Sequence, residues 1–313
     1  MSAQDLGSRA IIGEYVRMLE QDNGVGWVNQ ISNLFQSDQL SETYKFLGQS
    51  PVFRERKGER KAKGLRDEGF TIRNIDFEST MDIEKAQLRR DKTGQMLARI
   101  GEHVQRSSSH WATLLSTLIV NGETNTCYDG QFFFDEDHVW GDSGSQSNDI
   151  SVDISALPVT TNGSVTAPSP EEAAQAAMQG VTQICGFLDD QGEPMNETAS
   201  QFLILCPFSL ENSLKSGLAL PRGTDAAEQV TEKRIQVVGN ARLNSSWTDK
   251  FVVFRTDSPI KSLIRQEEVG VNVSALAEGS DYAFTNDAYQ FGLDATRNAG
   301  YGYWEHACLV TMT

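Results

Sequence analysis

The sequence predicts an α+β fold without internal repeats, and three observations point there. The first half carries one long helical periodicity. An apolar strand-like run followed by a short helix lies near residue 205. The strand candidates of the last third never settle into a β-α-β rhythm. With 313 residues, 39% of them hydrophobic, the chain can build one large domain or two interleaved ones around a core of its own.

The first forty residues read as an arm. Ile12, Val16 and Leu19 recur at helical spacing, Gly24 and Gly26 interrupt them, and Trp27 to Phe35 could start a second short helix. From Tyr44 to Thr80 the pattern predicts a long hairpin. Its opening strand is Tyr44 to Leu47, and its return segment, Phe70 to Phe77, is rich in β-branched and aromatic residues. Between Phe53 and Phe70 the only large apolar residue is Leu65, so the centre cannot pack a core and should project from the body. Asp82 to Val120 then carries Met96, Leu97, Ile100, Val104, Trp111, Leu114, Leu115 and Leu118 largely on one helical face. As one helix it would span roughly 55 Å. Gly94 and Gly101 weaken its first half and predict a bend or break, and Asn121-Gly122 stops it.

Cys127 to Trp140 concentrates aromatic residues, a polar stretch follows to about Asn148, and a Val/Thr/Pro-rich stretch runs to Pro168. Ser169 can cap the next helix, Pro170 fits its first turn, and Glu172 completes a capping box. Ala174, Met178, Val181, Cys185 and Leu188 supply its predicted buried stripe, and Asp189 to Glu193 terminates it. Gln201 to Phe208 reads as a buried strand and Ser209 to Leu218 as a short helix. Arg234 to Val238, Phe251 to Thr256 and Tyr289 to Asp294 are further strand candidates. Arg297 to Gly300 reads as a turn and Tyr301 to Met312 as a final strand. Gly217 to Glu232 reads as a loop with no assignable place.

The net charge is -16. So acidic a surface repels nucleic acid and argues against a general DNA- or RNA-binding role. The charge is uneven, however. Arg54, Arg56, Lys57, Arg60, Lys61, Lys63 and Arg66 face only Glu55 and Glu59, so this segment is +5 and the other 300 residues carry -21. As a solvated loop it would mean little; as a basic finger on an acidic body it is a candidate inter-subunit contact, with a nucleic-acid-binding module using this hairpin as the alternative. The longest apolar stretch, Trp111 to Val120, is interrupted by three hydroxyl residues and is far short of the roughly 20 residues that a membrane span needs. The opening MSAQDLGSRA has no signal-peptide pattern, so a soluble protein that stays where it is made is expected. Cys127, Cys185, Cys206 and Cys308 are widely spaced and read as buried thiols in a reducing compartment, with no disulfide scaffold or zinc site.

Catalytic motifs are missing: there is no phosphate loop, GxSxG elbow or HExxH helix. The best enzymatic alternative is a metal-dependent site at Asp135-Glu136-Asp137-His138 with Asp129 nearby. Adjacent positions on a strand or turn point in different directions, so a solvated acidic turn is the preferred reading. Cys308 lies two residues from His306 and could share a strand face with it, but a core cysteine in the last strand explains it more simply. Trp111, Trp247 and Trp304 read as core or interface residues. No catalytic residue, metal ligand or cofactor is assigned.

Several stretches carry a family resemblance. Tyr44-Lys-Phe-Leu-Gly48 followed by the basic run, Gly69-Phe70 and Asn74-Ile-Asp-Phe-Glu78 resemble the early part of the major head subunits of Mu-like tailed phages. Cys127-Tyr-Asp-Gly-Gln-Phe-Phe-Phe-Asp135 with Asp137-His138 resembles that family's aromatic segment. Phe202 to Pro207, Trp247 to Gln266, and Phe291 to Tyr301 before Trp304 are also similar, in family order. The resemblance implies the Hong Kong 97-like capsid fold. Its parts would be an N-terminal arm (1–43), an extended loop (44–80), a peripheral domain with a spine helix (81–144), an axial domain (145–240) and return strands shared by both (241–313). It implies a structural subunit and not an enzyme, self-assembling as hexamers and pentamers into an icosahedral shell around the genome. The setting would be the virion, with assembly in the host bacterial cytoplasm. An arm of forty residues is too short for a fused scaffolding domain, so a separate scaffold protein is expected. A portal protein is a further implied partner, and decoration proteins are left open. Negative charge on the inner surface would keep the shell from adhering to packed nucleic acid.

Overall fold

The computed structural model describes residues 8–21, 24–47, 67–91, 94–139, 141, 143–189, 192–219 and 233–313. Two sheets organise it. A four-stranded sheet has the order β1 (Ser32–Gln36), β11 (Leu263–Leu276), β12 (Ala288–Tyr301), β4 (Ile75–Glu84). A five-stranded sheet has the order β7 (Asp149–Val152), β13 (Ala307–Met312), β10 (Lys250–Arg255), β8 (Gln201–Cys206), β9 (Arg234–Gly239). β2 (Ser41–Leu47) and β3 (Asp67–Arg73) form the antiparallel pair that roots the basic segment, and β5 (His138–Val139) with β6 (Ser145–Gln146) closes the aromatic loop.

The arm helix α1 (Ser8–Gln21) forms where the sequence places it. It buries Ile11 and Tyr15 against Ile83, Ile100, Val104 and Phe291, a second core beneath the four-stranded sheet. Tyr15 stacks on Phe291 and its hydroxyl lies 3.1 Å from His103 Nδ1. Trp27 to Phe35 departs from expectation. A single turn, α2 (Val28–Ile31), gives way to β1, which runs parallel to β11.

The long helical span is also divided. Its first residues extend β4 through Glu84, followed by α3 (Lys85–Arg90), α4 (Gln95–Ser108) and α5 (His110–Val120). The break at Gly94 has a local cause. The Asp91 carboxylate accepts the backbone N–H groups of Gly94, Gln95 and Met96 at 3.0, 3.2 and 2.9 Å, starting α4 afresh. Gly94 supplies the left-handed φ of +75° that this entry needs. Gly101 does not break the helix. Between α4 and α5 the ladder persists, with Ser109 N–H on Gln105 O and Thr113 N–H on Ser109 O, so Gln95 to Val120 is a nearly continuous spine.

The capping box at Ser169 and Glu172 is formed and starts α6 (Pro170–Gly186). Ala174 and Val181 are buried as expected, but Met178, Cys185 and Leu188 are only half-buried. The buried face is instead alanine-rich, with Ala173, Ala176, Ala177 and Gly180, because α6 lies close on the sheet. A Cβ on Gly180 would stand 2.8 Å from Val310 and 2.9 Å from Val253. β8, α7 (Phe208–Ala219) and β9 form a parallel crossover between neighbouring strands. Gly217 to Glu232 begins within α7, and its residues 220–232 lie outside the described residues.

The expected turn at Arg297 to Gly300 is instead the last part of β12, paired with Ile264 to Glu267 of β11. Its glycine serves a close approach and not a turn. A Cβ on Gly300 would lie 2.5 Å from Ile72 and 2.9 Å from Phe70, the hairpin strand that crosses there. The expected final strand is interrupted by a 3-10 turn at Trp304–His306 before β13.

Candidate assembly interface

The seven basic residues singled out by sequence, Arg54, Arg56, Lys57, Arg60, Lys61, Lys63 and Arg66, lie outside the described residues. The strands that carry them are anchored. β2 and β3 pair from Ser41–Arg73 to Leu47–Asp67. The Thr43 and Thr71 hydroxyls meet at 2.9 Å, and Tyr44 Oη donates to Gln266 Oε1 at 2.9 Å. Asn74, almost fully buried, donates to Gln39 O and accepts from Gln266 Nε2 at the point where β3 passes into β4.

An acidic face lies on the same sheet. β4 is an edge strand, and its alternation places Asp76, Glu78, Asp82 and Glu84 together on one side, all exposed. Asp294 of β12 stands directly opposite Glu78, a cross-strand pair of like charges that is unfavourable by itself. Thr296 donates to Asp76, and Asn272 and Ser274 donate to Asp294. Among the described residues none of these five carboxylates forms a salt bridge.

Of the residues of the enzymatic alternative, the structure brings Asp129 and His138 together and turns Asp135 and Asp137 to other partners. Asp135 is spent on the backbone N–H groups of Phe132 and Glu136, and Asp137 accepts from Gln131 Nε2 at 2.8 Å. His138 turns inward, fully buried, and stacks on Trp304 with ring centroids 4.1 Å apart. Its Nδ1 donates to Asp129 Oδ2 at 2.6 Å, and Cys127 Sγ donates to Asp129 Oδ1 at 2.9 Å. Its Nε2 lies 3.2 Å from Asn148 Oδ1. Backbone partners fix the Asn148 amide: Oδ1 accepts from Asp135 N–H and Nδ2 donates to Phe133 O. Both nitrogens of His138 therefore face acceptors.

Cys127, Asp129 and His138 bring ligand atoms within 4.8 Å of one another, but they use these atoms on each other. Burial and the neighbouring Asp129 push the Cys127 thiol far up, away from the thiolate that a soft metal needs. Burial raises the Asp129 carboxyl, but the hydrogen bonds from His138 and Cys127 outweigh it and hold it below its usual value. The cluster is a structural lock joining the aromatic loop to the C-terminal strands. His306 ends the 3-10 turn and Cys308 lies in β13, so the two do not share a strand face, and both are buried. Burial drives the His306 imidazole down to about 4 and the Cys308 thiol well up. Trp304 and Trp247 are core residues, whereas Trp111 is half-buried. Arg265 and Arg297 converge on Trp111 from different strands, so no local pattern signals their meeting.

No helix among the described residues is long and apolar enough to cross a membrane. A spine helix beside one sheet, a second mixed sheet and a rooted hairpin together define the tailed-phage capsid fold. The chain has that fold. It superposes on a subunit of the procapsid of bacteriophage JBD30 with a TM-score of 0.54 at 20% identity, covering 97% of this chain and 74% of that one. The chain belongs to the family of the Mu-like prophage major head subunit gpT, whose sequence model matches residues 14–158 and 223–312. It is similar to the major capsid protein of Escherichia phage Mu, 34% identical over 111 residues, 35% of this chain and 36% of that protein. It is also similar to the Mu-like prophage FluMu major head subunit of Haemophilus influenzae, 29% identical over 123 residues, 39% of this chain and 40% of that protein. The aligned stretches thus span less than half the length of either relative.

Proposed function

We propose that this chain is the subunit that tiles the icosahedral head shell of a Mu-like tailed phage, as hexamers and pentamers around its genome. The observation that carries this is the match of most of the chain to a major head subunit family. In this reading residues 1–43 are the arm, 44–80 the extended loop, 81–144 the peripheral domain with its spine, 145–240 the axial domain and 241–313 the return strands. A separate scaffold protein and a portal protein are its assembly partners, with decoration proteins as possible additions to the finished shell. Assembly takes place in the host bacterial cytoplasm, and the product is part of the virion.

The basic segment from Arg54 to Arg66 is, in this reading, the element that holds neighbouring subunits. Its natural target is the acidic face of Asp76, Glu78, Asp82, Glu84 and Asp294 on the adjacent copy, where five carboxylates meet a segment of net charge +5. Each exposed pair contributes only ~0–1 kcal/mol, but the contact repeats at every subunit. Changing Arg56, Lys57, Lys61 and Lys63 together to Glu tests it. The expected result is an unchanged circular dichroism spectrum with shells lost or fragile, and a partial copy of that defect in wild type at high salt. Normal shells together with lost DNA or RNA binding in a gel shift would assign the segment to nucleic acid instead. Normal shells with normal stability would remove the assignment altogether.

A further inference from the structure

A cleft of about 590 Å³ opens between α1, α2, the α4–α5 junction and β11, within the size range of specific binding sites. One side is apolar, with Ile12, Val16 and Leu19 of the arm helix facing Val271 and Val273 of β11. The floor is cationic. Arg265 and Arg297, only 7% and 3% exposed, lie 5.5 and 4.8 Å from the ring of Trp111 between them.

Arg297 is well served. Its Nη2 donates to Ser107 O at 2.8 Å, its Nε donates to His110 Nδ1 at 3.2 Å, and Glu267 lies 3.9 Å away. Arg265 is not. Its Nη2 donates to Asn29 Oδ1 at 2.8 Å, but its buried Nε has no partner. Glu267 is the carboxylate whose charge acts on both guanidinium groups, and Glu20 stands exposed on the rim. Two buried cations thus share one close anion. Burial, reinforced by the charges of Arg297 and Arg242, pushes the nearby His110 down to about 4, in keeping with surplus positive charge. A buried donor without an acceptor is costly, and the cleft is shaped for a carboxylate carried beside a large apolar side chain.

The described surface offers such a group. Beyond Leu276 the β11–β12 hairpin ends in a tip that contains α8 (Asp281–Asn286). Phe284 there is 92% exposed, the most exposed large hydrophobic residue described. Around it stand the exposed carboxylates of Glu278, Asp281 and Asp287, of which Lys85 neutralises only Asp287, at 3.4 Å. The tip cannot reach Arg265 of its own chain. The two are joined by the β11–β12 ladder, which at ~3.3 Å per residue holds Arg265 roughly 36 Å from Leu276.

We propose that the hairpin tip of one subunit, led by Phe284 and Asp281, inserts into the cleft at Arg265 and Trp111 of a second copy of this chain. The Phe284 ring would lie on the apolar wall at Val16, and the carboxylate would accept from the free Arg265 Nε–H. Tip and cleft are different surfaces, so the contact is head-to-tail and can close a ring or extend around a shell. It rests on the shell reading, and the experiment separates the two.

The variant carrying both Val16→Cys and Phe284→Cys is assembled, the particles are verified by electron microscopy, and the sample is treated with a short bismaleimide. The expected result is a ladder of covalent multimers on a reducing gel that is absent from wild type and from each single variant. Adding Asp281→Asn and Glu278→Gln should slow the crosslinking about tenfold, the equivalent of one charge-assisted hydrogen bond. Shells without a ladder overturn the contact and leave the shell reading standing. A ladder from Phe284→Cys alone means tip-to-tip packing and overturns it as well, as does a ladder indifferent to the added charge changes. Failure of every sample, wild type included, to form shells removes the shell reading and the contact with it.

Discussion

Asn148 is the residue on which the aromatic loop hangs, and replacing it with leucine should destabilise the chain severely. The side chain is fully buried. It donates to Phe133 O at 2.8 Å, accepts from Asp135 N–H at 2.9 Å and lies 3.2 Å from His138 Nε2. Leucine matches its size but can serve none of these groups. Each buried polar group left without a partner costs ~1–3 kcal/mol, so three of them sum to about 4 kcal/mol after the added apolar burial is credited. That is a large part of the ~5–15 kcal/mol that holds a domain together. Urea unfolding of the unassembled chain, followed by tryptophan fluorescence, reads the loss directly. At an m-value near ~3 kcal/mol/M the midpoint should fall by more than about 1 M. Near-ultraviolet circular dichroism should report loss of the His138–Trp304 stack in the same variant. A shift below about 1 kcal/mol with that signal intact would refute the view that this network locks the loop.

Two further outcomes follow from close contacts and from burial. In Gly217→Ala the new Cβ would sit 1.8 Å from Pro170 O, a backbone atom, so α6 and α7 must separate; a loss of about 3 kcal/mol in thermal or urea melts is expected, and a neutral result would mean that the helices are not packed as described. Asp149 is pushed up to about 6, mainly by burial and then by Glu123, against the pull of Lys250. Its folded form therefore holds the proton more tightly than the unfolded chain, whose value is near 3.8. Its contribution is fully present below that value and is lost as pH rises through about 6. Asp149→Asn should accordingly raise stability at pH 8 by about 1 kcal/mol, allowing for solvent screening, and change little near pH 4; equal melting temperatures of variant and wild type at pH 8 would contradict this.

What could be read from the sequence was the part written in local pattern. The arm helix, the capping box at Ser169, the buried strand at Gln201 and the roots of the basic hairpin rest on short-range spacing, and all of them form. The misses share a physical cause, which is long-range pairing. Leu263 to Leu276 escapes a strand reading because Arg265, Gln266, Glu267 and Glu268 interrupt it, although Val269, Val271, Val273 and Ala275 alternate with small or polar residues in its second half. It becomes the centre of a sheet because β1 and β12 flank it. Arg297-Asn-Ala-Gly300 has turn chemistry, yet the crossing of Ile72 and Phe70 over Gly300 makes it strand. The cluster around His138 was half legible. Asp129 and His138 were noted, but Cys127 and Asn148 join them only when the loop closes on itself. The acidic face was legible only as a net charge, since its carboxylates come from two strands more than two hundred residues apart.

Whether this chain builds a closed shell is decided by imaging the purified wild-type protein. Negative-stain electron microscopy, on the chain alone and co-expressed with a scaffold encoded by the same phage genome, should show rings of six or five subunits or hollow icosahedral particles. The particles should sediment far faster than a 34.6 kDa chain. A protein that stays strictly monomeric at every concentration and salt, with the scaffold present, would rule out a shell-forming role.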